Sequence, residues 1–117
     1  MFIINKTKKR IIVEKTALCR TVFKRAAGLM LSKKENKALI FIFSKEKIVP
    51  LHMLFVFYPI DVLFLNKEKK IVEIKEHFRH FSFYSPKNKA RYVIEMPEGS
   101  IGKFNLEISD RLGFNSL

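Results

Sequence analysis

The chain has 117 residues, 48% of them apolar, with twelve Phe, one Cys and a formal charge of +12. That length fits one domain able to bury roughly two-thirds of the surface its unfolded form exposes, and such burial offsets chain entropy, which excludes a wholly disordered chain. The lone Cys19 cannot form an intramolecular disulfide, which points to a reducing, cytoplasmic setting.

The opening MFIINKTKKR does not read as a secretory signal, because its charges follow its apolar residues. Phe2 to Ile4 and Arg10 to Lys15 read as two short β-branched strands joined by a polar turn, Asn5 to Lys8. Thr21 to Met30 reads as a helix: Thr21 suits an N-cap, and Val22, Phe23, Ala26, Ala27, Leu29 and Met30 gather on one side at about 100° per residue. Arg25 borders that apolar stripe, and residues 32–36 form a polar loop. Lys37 to Phe43 and Leu51 to Phe57 are apolar runs of strand length. Residues 48–65 are hydrophobic enough to imitate a membrane helix, but Pro50, Pro59, His52 and Asp61 would damage one, so two strands meeting at Pro59 fit better. Ile60 to Leu65 is the second of these, followed by a turn at Asn66 to Lys69. In Lys70 to Glu76 the alternation predicts Val72 and Ile74 inward, with Glu73 and Lys75 outward. Arg91 to Met96 is a further strand, closed by a turn at Pro97-Glu98-Gly99, and a short strand near Arg111 to Phe114 ends the series. Residues 100–109 follow neither period. The pattern predicts a single domain over 1–117, mainly β, as a small antiparallel β-sandwich or compact barrel with one short helix packed on it.

Five short motifs in order carry a resemblance. Arg25 precedes Gly28-Leu29-Met30; ALIFIF follows at 38–43; then come His52-Met53, Pro59-Ile60-Asp61 before VLFLN, and KKIVEI; and Tyr92-Val93-Ile94-Glu95-Met96-Pro97 is followed by Gly99. In this order the chain resembles, over about 15–114, the family called domain of unknown function 192. The resemblance implies a small mainly β fold and no particular activity. The family usually places Gly-Asp before its last strand, where this chain has Ser109-Asp110.

Glycine-rich phosphate loops, paired-cysteine metal motifs, HExxH and nucleophile elbows are all missing from the sequence, so no metal or cofactor is expected. Cys19 beside His52 could act as a nucleophile, and Met30, Met53 and His52 could hold a soft metal, but such residues more often fill a core. His52, Asp61 and Glu95 interrupt apolar strands, and a buried carboxylate needs a cation or several donors. With Arg25 they could line a small polar cleft for a ligand, or carry acid–base chemistry of hydrolase type, His52 acting with Asp61 or Glu95. In the bland alternative Asp61 caps a bend after Pro59 and Glu95 pairs with Arg25 or Arg91.

The charge is uneven: residues 1–47 carry +10 and residues 48–117 carry +2. A basic N-terminal half attracts polyanions such as RNA or DNA, although a Lys-rich surface also serves solubility. The segment HFRHFSFY at 77–84 interleaves cations with aromatic rings. Arg79, His80, Phe81 and Tyr84 are thus candidates for gripping single-stranded nucleic acid. Alternation alone would give the same pattern, with rings on the sheet and cations in water. A non-catalytic binding or accessory domain, a nucleic-acid module and a small acid–base enzyme therefore all remain open.

Overall fold

The computed structural model describes residues 2–13, 16–19, 38–52, 59–79 and 82–115. Its elements are β1 (Phe2–Asn5), β2 (Arg10–Val13), β3 (Thr16–Cys19), β4 (Ala38–Lys47), β5 (Leu51–His52), β6 (Ile60–Leu65), β7 (Ile71–Phe78), β8 (Phe83–Tyr84), β9 (Ala90–Pro97), the helix α1 (Ser100–Lys103) and β10 (Leu112–Asn115). A five-stranded sheet runs β3-β4-β9-β6-β7. A three-stranded sheet, β10-β1-β2, and a two-stranded one, β5-β8, complete the β structure.

Strand alternation gives the central sheet two apolar faces, and each is covered. On one face Leu39, Phe41, Val62, Phe64 and Val93 pack with Val49, Leu51 and Tyr84, beneath the β5-β8 pair. On the other, Ile40, Leu63, Leu65, Ile94 and Met96 pack with Ile3, Ile12 and Leu112 of the three-stranded sheet and with Ile101 of α1. All six residues of β6 are buried. This is why its sequence, Asp61 apart, is apolar throughout rather than alternating. Each fully buried side chain of the size of Phe64 contributes about 1.5–3 kcal/mol.

The mainly β sandwich matches the sequence pattern, with two differences. β3 pairs with β4 in parallel, not antiparallel. A parallel pair needs a crossover of a dozen or more residues, and the chain between β3 and β4 supplies it; that stretch, with the expected helix at Thr21 to Met30, lies outside the described residues. Among the described residues a short helix, α1, forms in the 100–109 stretch that showed no period. Among the described residues, no helix is long and apolar enough to cross a membrane.

The second difference is Glu73, expected to face water. Against β6 the register steps from Phe64↔Glu73 to Leu65↔Ile71, so Val72 is an extra residue. A bulge of this kind turns two successive side chains toward the same side. Glu73 is only 9% exposed, and Val72 packs against the same apolar face as Phe64. A second step, from Ile60↔Phe78 to Val62↔Lys75, sets Glu76 and His77 against Asp61 alone. His77 takes φ 52° there.

Before β10 the turn survives without glycine. Ser109 adopts φ 78°, a left-handed conformation that L side chains resist. Its neighbour Asp110 is buried and accepts hydrogen bonds from the Glu107 N–H at 3.1 Å and the Asn5 side-chain amide at 2.9 Å. Ser109→Gly removes the side-chain clash, less glycine's greater unfolded-state entropy. It should stabilise the fold by about 0.5–1 kcal/mol, seen as a rise of roughly 2–5 °C in melting temperature. A fall would show that the Ser109 side chain holds the turn.

Candidate functional site

The two acids expected to share a cleft lie on opposite faces of the central sheet. Asp61 alternates with Ile60 and Val62 and falls on the face of Leu63 and Leu65. Glu95 is paired with Leu39 and Val62 and falls on the other face, at 3% exposure. A single cleft built on both is therefore corrected by the strand register itself. Arg25 lies outside the described residues. His52 pairs across the β5-β8 ladder with Phe83, which puts its backbone beside the aromatic segment.

Asp61 is fully buried, and backbone amides occupy both of its oxygens. Oδ1 accepts the His77 N–H at 3.0 Å, freed by the bulge, and Oδ2 accepts those of Gly99 at 3.1 Å and Ile101 at 3.0 Å. Gly99, at φ 89°, and Ile101 open α1, whose first N–H groups have no partner within the helix. Asp61 thus ties β6, the β7 bulge and α1 together from the sheet. Asp61→Ala should destabilise the chain by about 3 kcal/mol, because buried donors lose a charged acceptor; a urea midpoint unchanged from the parent would refute this role.

The 77–84 segment divides. Phe78 is buried, and Tyr84 packs on it, edge to ring at 6.5 Å, and on Phe64 at 6.0 Å. Phe83 is 61% exposed, and Arg79 faces water. His80 and Phe81 lie outside the described residues. Lys75, His77, Phe78, Arg79, Ser82, Phe83 and Tyr84 line a cleft of about 260 Å³. The Lys75 ammonium stands 5.5 Å from the centre of the Tyr84 ring. Two of the expected residues, Arg79 and Tyr84, are therefore neighbours in one concavity.

Glu73 lies behind Tyr84, one of the lining residues, and holds it in place. One carboxylate oxygen accepts the Tyr84 hydroxyl. The other accepts the N–H groups of Lys87 and Asn88, each at 2.9 Å, and the Asn88 side-chain amide at 3.0 Å. Burial alone would raise the Glu73 pKa, but the Tyr84, Asn88 and Lys87 hydrogen bonds outweigh it and hold it below the ordinary 4.5. The same contact pushes Tyr84 up to about 12, so its hydroxyl stays protonated. At the rim, the hydrogen bond that His77 Nδ1 donates to the Glu98 carboxylate, at 2.7 Å, raises the His77 pKa above its usual 6.5. Among the described residues no three His, Cys, Asp or Glu side chains converge as metal ligands.

A carboxylate with a lowered folded pKa stabilises fully above its unfolded pKa, near 4.5, and loses that contribution as pH falls through the folded value. Glu73→Gln should therefore be less stable than the parent at neutral pH and converge with it in acid. Chemical denaturation across pH measures this, and a constant difference down to strong acid would contradict it.

The sequence does not mark Glu73, Lys75 or Phe83 as site residues. The bulge that turns Glu73 inward leaves no residue signature, whereas the ring of Phe83 was visible in the aromatic alternation.

Residues 3–114 match the family model DUF192, described as Uncharacterized ACR. A UPF0127 protein of Thermococcus sibiricus is 40% identical over 112 residues, spanning 94% of this chain and 72% of that protein. A UPF0127 protein of Pyrococcus furiosus is 34% identical over 116 residues, spanning 97% and 98%. The fold also resembles the crystal structure of a protein of unknown function from Novosphingobium aromaticivorans, with TM-score 0.82 over 97% of this chain and 82% of that one at 16% identity.

Proposed function

We propose that this chain, which belongs to the DUF192 family, is a non-catalytic binding or accessory domain whose ligand site is the cleft between the end of β7 and β8. Its ligand class is an anion carrying a planar ring. One observation carries the reading: the cleft sets Lys75 and Arg79 beside the exposed ring of Phe83. A cation and an aromatic face on one concavity suit a phosphate or carboxylate attached to a ring. Acid–base chemistry is less well supported, because backbone amides already hold both oxygens of Asp61. Glu95, on the opposite face from Asp61, cannot join it.

Titration with adenosine monophosphate, followed by amide NMR, tests the reading. Resonances of Lys75, Arg79, Phe83 and Tyr84 should move together, and Arg79→Ala should weaken binding about tenfold, the cost of one charge-assisted contact. Shifts confined to other parts of the chain, or an affinity indifferent to Arg79, would overturn it.

A further inference from the structure

We infer that the cleft is one end of a track for single-stranded nucleic acid, on which Phe83 stacks a base and Arg79, Lys87 and Lys89 hold phosphates. This rests on the cleft reading and extends it along the 85–89 loop. The loop's position is fixed: Glu73 binds the Tyr84 hydroxyl with one oxygen and the Lys87 and Asn88 amides with the other. The Lys87 amide and the hydroxyl of Tyr84, a lining residue of the cleft, are thus held on the two oxygens of one carboxylate. Lys87 and Lys89 are exposed, and two residues of chain separate their Cα atoms by at most about 7 Å.

Arg79, Lys87 and Lys89 have no carboxylate within ion-pairing distance among the described residues. His77, by contrast, is engaged by Glu98 at 2.7 Å, so it is left out of the track. The surroundings favour an anion further. Of the eight acids after residue 47, Asp61, Glu73, Glu95 and Asp110 are buried, so the surface there is more basic than its formal +2.

The form of the nucleic acid follows from what is available to read it. Lysines hold phosphates as point charges and lack the planar fork that reads base edges. Among the described residues the helix present, α1, has four residues, too short to lie in a major groove. An exposed ring beside cations instead grips unpaired bases with little regard for sequence. The net charge of +12 adds long-range attraction to any polyanion.

Fluorescence anisotropy with single-stranded RNA of increasing length, adenosine monophosphate and inorganic polyphosphate tests the track. Affinity should rise at least about tenfold from the mononucleotide to a dodecanucleotide. The double variant Lys87→Gln/Lys89→Gln should flatten the slope of log affinity against log salt by about 1.4 and leave mononucleotide binding unchanged. Phe83→Ala should weaken RNA about tenfold and polyphosphate not at all. These side chains are exposed, so the variants should keep the parent's circular dichroism, which is checked first. Equal affinity for mononucleotide and dodecanucleotide would overturn the track and leave the cleft standing. Polyphosphate bound as tightly as RNA, with Phe83 indifferent, would overturn nucleic acid in favour of unspecific charge. Absence of binding to all three would overturn track and cleft together.

Discussion

Buried backbone N–H groups must find acceptors, and carboxylates supply them at three irregular places in this chain. Asp61 serves the bulge at His77 and the start of α1. Glu73 serves the loop after β8. Asp110 serves the turn before β10 and reaches across to Asn5 of β1 and to Lys8, whose ammonium lies 3.3 Å away. A charged acceptor strengthens each hydrogen bond roughly twofold over a neutral one. Each acid is also a long-range tie, for Asn5 and Asp110 lie at opposite ends of the chain. These three irregular segments are thereby fixed to the regular strands.

The same constraint explains where the candidate site sits. A two-residue strand such as β8 has almost no ladder of its own, and its pairing with β5 consists of two residue pairs. Tyr84 holds it down twice, through its ring on Phe64 and Phe78 and through its hydroxyl on Glu73. With Tyr84 fixed inward, alternation sends Phe83 outward. The exposed ring is thus a consequence of anchoring its neighbour. The concavity beside it arises where β7 ends in a bulge and the chain leaves the sheet.

Much of the fold was legible because it is written in side-chain period. β6, the β1-β2 hairpin and the extent of β9 follow from apolar runs and turn residues, and Asn66 caps its own turn by accepting the N–H groups of Glu68 and Lys70, each at 3.0 Å. Bulges were not legible, since one extra residue changes the facing of Glu73 without changing its type. Nor was pairing direction: β3 carries nothing that marks it as parallel to β4. The site was half legible. Burial of Asp61 and Glu95 followed from acids set in apolar strands, but their facing depends on register, and an odd separation across paired strands puts them on opposite faces. Ser109 shows the converse, a turn whose geometry persists although the residue best suited to it is absent.

Placing acids inside has a second consequence, for the outside. A carboxylate spent on backbone amides is not presented to a ligand, while lysines, with their long stems and costly burial, stay at the surface. Glu107 is drawn to Lys8 and Glu98 to His77, which withdraws two more acids into local pairs. What a ligand meets between residues 75 and 89 is therefore weighted toward cations, although the sequence there counts nearly as many acids as bases in the half to which it belongs. The interior device that secures the loop after β8 and the basic surface of that loop thus share one residue, Glu73. Removing its charge would loosen the very segment that carries Lys87 and Lys89, so the architecture of the cleft and the attraction it exerts cannot be varied independently at that position.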